Sequence, residues 1–301
     1  MSLDKFTTKI KEINRETAFI LVFVSYYLAI VSAIGLGYLL RDLNPILMIF
    51  LVDILATLII FIISTVFRNA SFYDPFWSFI PIVIALYLLF TSSDLVNTVR
   101  QYIVVLMVCL WGLRLTWNWV RQWRGINHED WRYVNFRKKY VKSFWFINLT
   151  GIQLMPTILV FFGCLSLFPA LNSGTNNFQF LDYIALIITL GAIILETFAD
   201  FQMKNFMKTR KDPQLIMDKG LWGKSRHPNY LGEMLFWWGL YLFGVSADPQ
   251  YWWVIFGPIA ITILFLFISI PMMEKRQEHK SEYKNYKLRV RKLIPRFSFS
   301  S

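Results

Sequence analysis

The stretch Pro45-Ile46-Leu47-Met48-Ile49-Phe50-Leu51-Val52-Asp53-Ile54-Leu55-Ala56-Thr57-Leu58-Ile59-Ile60-Phe61-Ile62-Ile63-Ser64-Thr65-Val66-Phe67 holds one acid and no base. A bilayer core needs about 20 consecutive apolar residues per helix, and this run meets that length with a Pro at its start and Arg68 just past its end. Similar runs recur at roughly 18–40, 76–93, 101–119, 144–170, 180–203, 228–247 and 251–273, each ended by Pro, Gly or charge. Pro81 interrupts the third of the eight, and Gly239 and Gly244 loosen the seventh. With 56% hydrophobic and 17% charged residues the chain is too apolar for an ordinary soluble domain. The expected fold is all-α: a multi-span membrane bundle of about eight helices, within a range of seven to ten.

Charge placement tests that count, because loops on the cytoplasmic side collect Lys and Arg. With eight spans and both termini on that side, 28 of the 31 Lys and Arg residues fall there, which favours an even number of spans. Only Arg41 and Arg100 lie on the opposite side, and Arg114 lies inside the fourth span. The net charge of +12 is thereby explained by topology and attraction to anionic headgroups, and nucleic-acid binding is not invoked. The membrane would be the endoplasmic reticulum in a eukaryote or the inner membrane in a bacterium. Met1 to Thr17 lacks the apolar core of a cleavable signal, so the first span would act as the anchor.

No stretch separates soluble domains, and residues 1–301 read as one membrane domain. Cys109 and Cys164 fall in different spans and read as packing residues. His128, His227 and His279 show no ligand spacing, so no metal site is expected. The sequon Asn148-Leu149-Thr150 opens a span on the cytoplasmic side and is discounted. Glu274 to Lys292 is polar and free of Pro, and reads as a helix running out from the last span.

Polar residues inside spans are costly unless paired or facing water. Arg114, Asn118 and Arg121 follow at i, i+4 and i+7, so one helical stripe carries two cations and an amide. Arg114 either snorkels to the interface or, with that stripe, faces a bound anion. Glu196, Asp200, Lys204 and Lys208 are each four apart and form either a self-contained ladder of ion pairs or a ligand-facing one. Glu196, about two turns inside, needs a partner on another helix or a ligand, Arg114 being a candidate. Asp53 either pairs locally or serves a site. Tyr73-Asp74-Pro75 suits both helix capping and polarisation of a substrate carbonyl.

Gly220-Leu221-Trp222-Gly223-Lys224-Ser225-Arg226-His227-Pro228-Asn229-Tyr230-Leu231-Gly232-Glu233 places cations and hydrogen-bonding groups at the start of the seventh span. Free N–H groups and the positive dipole end at a helix start favour phosphate. Asn229 and Tyr230 add an amide and a phenol, Trp222 a stacking face, and Gly223 and Gly232 close backbone approach. Together these suit a dinucleotide or another phosphate-bearing cofactor.

This run resembles the signature of the steroid 5-alpha-reductase and sterol C14/C7-reductase superfamily, and most closely its DUF1295 branch. Trp111-Gly112-Leu113-Arg114-Leu115-Thr116, Glu196-Thr197-Phe198-Ala199-Asp200 and Met273-Glu274-Lys275-Arg276 with Tyr283, Tyr286 and Ile294-Pro295 resemble that branch too. The likeness covers residues 71–297, with the cofactor-binding part at about 110–297, while residues 1–70 match by hydropathy alone. It implies a membrane reductase that uses NADPH to reduce a carbon–carbon double bond in a lipophilic, steroid-, sterol- or isoprenoid-like substrate reached from the membrane lipid.

Carried over, cofactor contacts fall on Arg114, Asn118, Arg121, Glu196, Asp200, Lys204, Lys208, Trp222, Arg226, His227, Asn229 and Tyr230. In the tail they fall on Glu274, Arg276, Tyr283 and Tyr286. Tyr230, Tyr73 and Asp74 are the candidate catalytic groups. Steroid reductases set a Glu and a Tyr near the substrate carbonyl; those places fall near Trp77 and Trp111, a departure that Asp74 or Tyr73 would have to make good. The run Arg226-His227-Pro228-x-Tyr230-x-Gly232 also resembles S-adenosylmethionine-dependent membrane methyltransferases of isoprenylcysteine and phospholipids. A third class is a lipid-binding membrane protein without turnover.

Overall fold

The structure is a computed structural model that describes residues 12–295. The amino-terminal segment up to residue 11 and the end of the tail from residue 296, both assigned to the cytoplasmic side by charge, lie outside the described residues. Among these the chain is helical, with no strand and one isolated bridge, Ser225 to Arg291. Seven helical stretches are long and apolar enough to cross a membrane: Arg15–Leu39, Pro45–Val66, Ala70–Phe90, Thr98–Gln122, Phe144–Ser173, Phe180–Thr209 and Pro249–Gln277. The remaining expected span is also a helix, Pro228–Ala247, 20 residues long, but its Trp, Tyr, Gly and Glu233 make it less apolar, and many of its residues are buried.

The helices begin where local chemistry satisfies the free N–H groups of a first turn. Asn14 accepts from the Thr17 amide ahead of α1 (Arg15–Leu39). Asn44 does so for Ile46 ahead of α2 (Pro45–Val66), whose Pro occupies the first helical position, where no N–H is needed. Helix α3 (Phe76–Phe90) continues through Pro81. The interruption expected there does not occur, since membrane helices tolerate Pro where neighbouring groups take the freed carbonyl.

Two compact units make up the chain. The first comprises the described residues up to Phe90 together with Val108–Cys164; the second comprises Thr91–Met107 and the chain from Leu165 onward. Helix α4 (Thr98–Gln122) is divided between them at Met107.

In the first unit the helix interior is partly polar. In α6 (Phe144–Ser173) a π-helical turn over Asn148–Leu154 brings Asn148 and Gln153 to the same side, so that the Gln153 amide donates to Ser64 Oγ at 2.9 Å and to Asn148 Oδ1 at 3.1 Å. Asn148 is thus buried. The Thr157 hydroxyl meets both the Thr57 hydroxyl, at 2.9 Å, and the Tyr73 phenol, at 2.8 Å. Asp53 is buried in mid-helix, so it caps nothing.

In the second unit, α7 (Phe180–Thr209) packs along α8 (Pro228–Ala247). A side chain at Gly239 would collide with Thr189, and one at Gly232 would meet the Ala192 carbonyl and Glu196 Cβ, both at 2.9 Å. Gly239 therefore tightens this helix pair rather than loosening α8, and Gly232 spends its close approach on α7. Arg100 and Asp182, both fully buried, form a bidentate pair at 2.7 and 2.9 Å. The guanidinium also donates to the carbonyls of Asn176 and Asn177, so the pair is fully hydrogen-bonded.

The last span does not continue as one helix to residue 292. It ends with α10 (Ile270–Gln277), after α9 (Phe256–Leu264) and a π-helical turn, and the chain turns before the short helix α11 (Tyr283–Arg289). Burial of Tyr283 and Tyr286 and capture of the α11 carbonyls by Arg226 outweigh helix propensity here.

Candidate functional site

The second unit gathers one cluster around the first turn of α8. The Arg226 amide donates to the Arg291 carbonyl at 2.9 Å, tying the tail to the loop before α8. Its guanidinium donates to Glu274 Oε1 at 2.8 Å from Nε, and from Nη1 to the carbonyls of Lys287 at 2.9 Å and Val290 at 2.7 Å. Lys287 Nζ reaches the other Glu274 oxygen at 3.3 Å. His227, the residue before Pro228, meets Glu274 Oε1 at 3.4 Å and lies parallel to the Tyr230 ring, with centroids 5.4 Å apart. Tyr230 also packs on Phe265.

Aromatic residues complete this frame. The buried Trp222 indole donates to the Ala199 carbonyl at 3.0 Å, and the Tyr286 phenol donates to the Trp222 carbonyl at 2.6 Å. Burial first, and neighbouring acidic groups after it, push the Tyr283 phenol up to about 12 and Tyr286 above the ordinary value as well. Burial, only partly opposed by Glu274, lowers His227 to about 4, so the imidazole is neutral at pH 7.

The structure thus brings together Trp222, Arg226, His227, Tyr230, Glu274, Tyr283 and Tyr286, read separately along the sequence. Asn229, half-buried, belongs to the same first turn of α8, and Arg276 is exposed on α10. The ladder on α7 runs from buried Glu196 through half-buried Asp200 and Lys204 to exposed Lys208. A cavity of about 540 Å³, walled by Gln202, Asn205, Phe206, Thr209, Met217 and Asp218 among others, opens on α7. At 100° per residue its face is turned away from the ladder. Arg114 and Asn118, half-buried, and Arg121, exposed, share a stripe of α4 within the first unit.

The first unit holds a second candidate, a cavity of about 230 Å³ at the start of α3 and the end of α4. Its wall includes Asp74, Trp77, Trp119, Trp123, Asp130 and Arg132. Asp74 Oδ1 accepts the phenol of Tyr133 at 2.6 Å, and Arg132 Nε donates to Asp130 Oδ1 at 2.7 Å. Burial first and Asp74 second push Tyr133 well above its ordinary value, so it remains a donor. Trp77 and Trp111, singled out as the places of departure from steroid reductases, form an edge-to-face pair at 5.9 Å.

Tyr73 does not face this cavity, since its phenol is buried against Thr157. Tyr133, Asp130 and Arg132 were passed over in the sequence because their loop read only as basic charge. Asp130 ahead of the helix α5 (Trp131–Lys139), whose side chain caps Arg132, was the available signal. Among the described residues no group of three or more His, Cys, Asp or Glu is arranged to hold a metal ion.

Over residues 60–290 the chain matches a family model described as a protein of unknown function, DUF1295. An uncharacterized protein of Schizosaccharomyces pombe (strain 972 / ATCC 24843) is 26% identical over 282 residues, which is 85% of this chain and 81% of that protein. No solved structure matches the chain.

Proposed function

For this chain, which belongs to the DUF1295 family, we propose an NADPH-dependent membrane reductase that acts on a carbon–carbon double bond of a lipophilic substrate. Kinship with the steroid 5-alpha-reductases and sterol reductases, and cytoplasmic termini, are parts of the same proposal. The observation that carries it is the convergence of Arg226, His227, Tyr230 and the tail on the first turn of α8. A 20-residue helix starting there presents N–H donors that have no acceptor within the helix, a natural contact for phosphate.

The residues present fit such a group. Lys204 and Lys208 supply cations on α7, and Asn229 an amide beside the amides of the first α8 turn. Arg226 is already committed to Glu274 and two carbonyls, so it positions the tail and leaves phosphate neutralisation to the lysines. NADPH, when bound, supplies a hydride. Tyr230, oriented by His227 and Phe265, is the phenol placed to polarise a substrate or give up a proton.

Thermal-shift measurements on the purified chain test the cofactor. NADPH raises the melting temperature, S-adenosylmethionine does not, and the Lys204→Ala/Lys208→Ala double variant loses most of the shift. Consumption of NADPH across a panel of enones and isolated alkenes then tests turnover, which Tyr230→Phe lowers at least tenfold. Stabilisation by S-adenosylmethionine instead replaces the reductase with a membrane methyltransferase; NADPH binding without turnover of any substrate leaves a lipid-binding protein.

A further inference from the structure

The cavity of the first unit is walled by Asp74, a candidate catalytic group by sequence, and by residues to which the mechanism centred on Tyr230 gives no role. Three indoles, Trp77, Trp119 and Trp123, share its wall with the carboxylates Asp74 and Asp130. The Arg132 guanidinium, also on the wall, is bound by Asp130 at 2.7 Å. That pair is neutral as a unit. Asp74 accepts the phenol of Tyr133 and is the carboxylate of the wall that stands outside that ion pair. The indoles are rigidly set: Trp119 stacks on Trp123 with centroids 4.8 Å apart, and Phe19 stands edge-on to both. Trp119 Nε1 is buried and has no hydrogen-bond partner among the described residues.

A carboxylate outside the ion pair, beside several indoles, favours a cation, which the electron-rich ring faces attract. Phosphate alone would meet two carboxylates against one guanidinium, and a neutral ligand would leave Asp74 without an opposite charge. The volume of about 230 Å³ is below the roughly 300–1,000 Å³ of pockets that enclose a whole drug-sized ligand, and suits a head group whose remainder lies outside. The unused indole N–H asks for an oxygen next to the cation. We infer that this cavity binds a quaternary ammonium head bearing a neighbouring oxygen, as in a choline phospholipid or free choline: the ammonium lies against Asp74 and the indoles, and the oxygen accepts from Trp119 Nε1. Binding here is measured without NADPH and without turnover.

Isothermal titration of the full chain in a non-ionic maltoside detergent tests it. Choline binds at least about tenfold more tightly than its uncharged isostere 3,3-dimethylbutan-1-ol, and Asp74→Asn and Trp119→Leu each weaken choline by about tenfold. Dihexanoylphosphocholine and dihexanoylphosphoglycerol, which differ in the ammonium, identify the source. Binding of the first but not the second assigns a lipid head, and binding of free choline alone assigns a soluble amine. Equal affinity for the isostere, unchanged binding in both variants, or no binding of either choline compound overturns the inference. If Asp74→Asn fails to fold, the isostere comparison on the parent chain and Trp119→Leu decide.

Discussion

In the second unit a buried guanidinium is consumed by the protein itself: Arg226 bonds to Glu274 and to two carbonyls of the returning tail. In the first unit the cavity wall keeps polar capacity in reserve, with Asp74 held by a phenol and the Trp119 indole N–H without a protein acceptor. The same residue types, Arg, Asp or Glu, and Trp, do structural work in one unit and line a cavity in the other. The difference lies in whether each donor has found its acceptor within the fold. A buried charge stripped of its partner is expensive, whereas a half-satisfied wall waits on a ligand.

The largest test of that contrast is Glu274→Ala, which leaves Arg226 without its carboxylate. It should cost about 3–5 kcal/mol and expose the tail beyond Gln277 to trypsin; an unchanged melting temperature would show that Arg226 is not structurally committed. Next comes pH. His227 is lowered from 6.5 to about 4, so between those values the unfolded chain binds a proton that the folded chain does not. Stability is therefore complete above pH 6.5 and falls as pH drops towards 4, by up to about 3 kcal/mol. Melting curves from pH 7.5 to 4.5 read this slope, and His227→Gln should flatten it.

Gly239→Ala forces a methyl group against Thr189 and should cost about 1–3 kcal/mol by overpacking the α7–α8 pair, read as a lower melting temperature. The smallest effect belongs to the first unit. Tyr133→Phe removes one hydrogen bond to Asp74 and should cost about 1 kcal/mol by the same measurement. A loss as large as that from Glu274→Ala would erase the contrast, making Asp74 as structurally committed as Arg226.

Much of the fold was legible because lipid imposes a simple rule on composition. The runs at 45–67 and 180–203 read as spans from length and apolarity alone, and the structure has helices there. Helix Pro228–Ala247 was legible from its Pro start despite being less apolar. The tail was misread as one helix because polar sequence does not reveal that Tyr283 and Tyr286 have a place to bury. Arg100 was read as a loop cation, yet it is fully buried against Asp182, and the separation of 82 positions hides that pairing. At the candidate site, the cluster from Trp222 to Tyr230 was visible as a motif, while Tyr133 with Asp74 was not.

Composition and periodicity by themselves determined that this is a helical membrane protein, where its apolar spans lie, and that Arg226 to Tyr230 stand at a helix start. These follow from local length, apolarity and capping, which need no knowledge of distant residues. Only the tertiary structure decided that Arg226 closes on Glu274 and the tail, that Gly232 and Gly239 serve helix packing, and that Asp74 shares a cavity with three indoles. Whether a polar group is spent or left available depends on which distant acceptor folding brings within hydrogen-bonding distance, and no local pattern carries that distance.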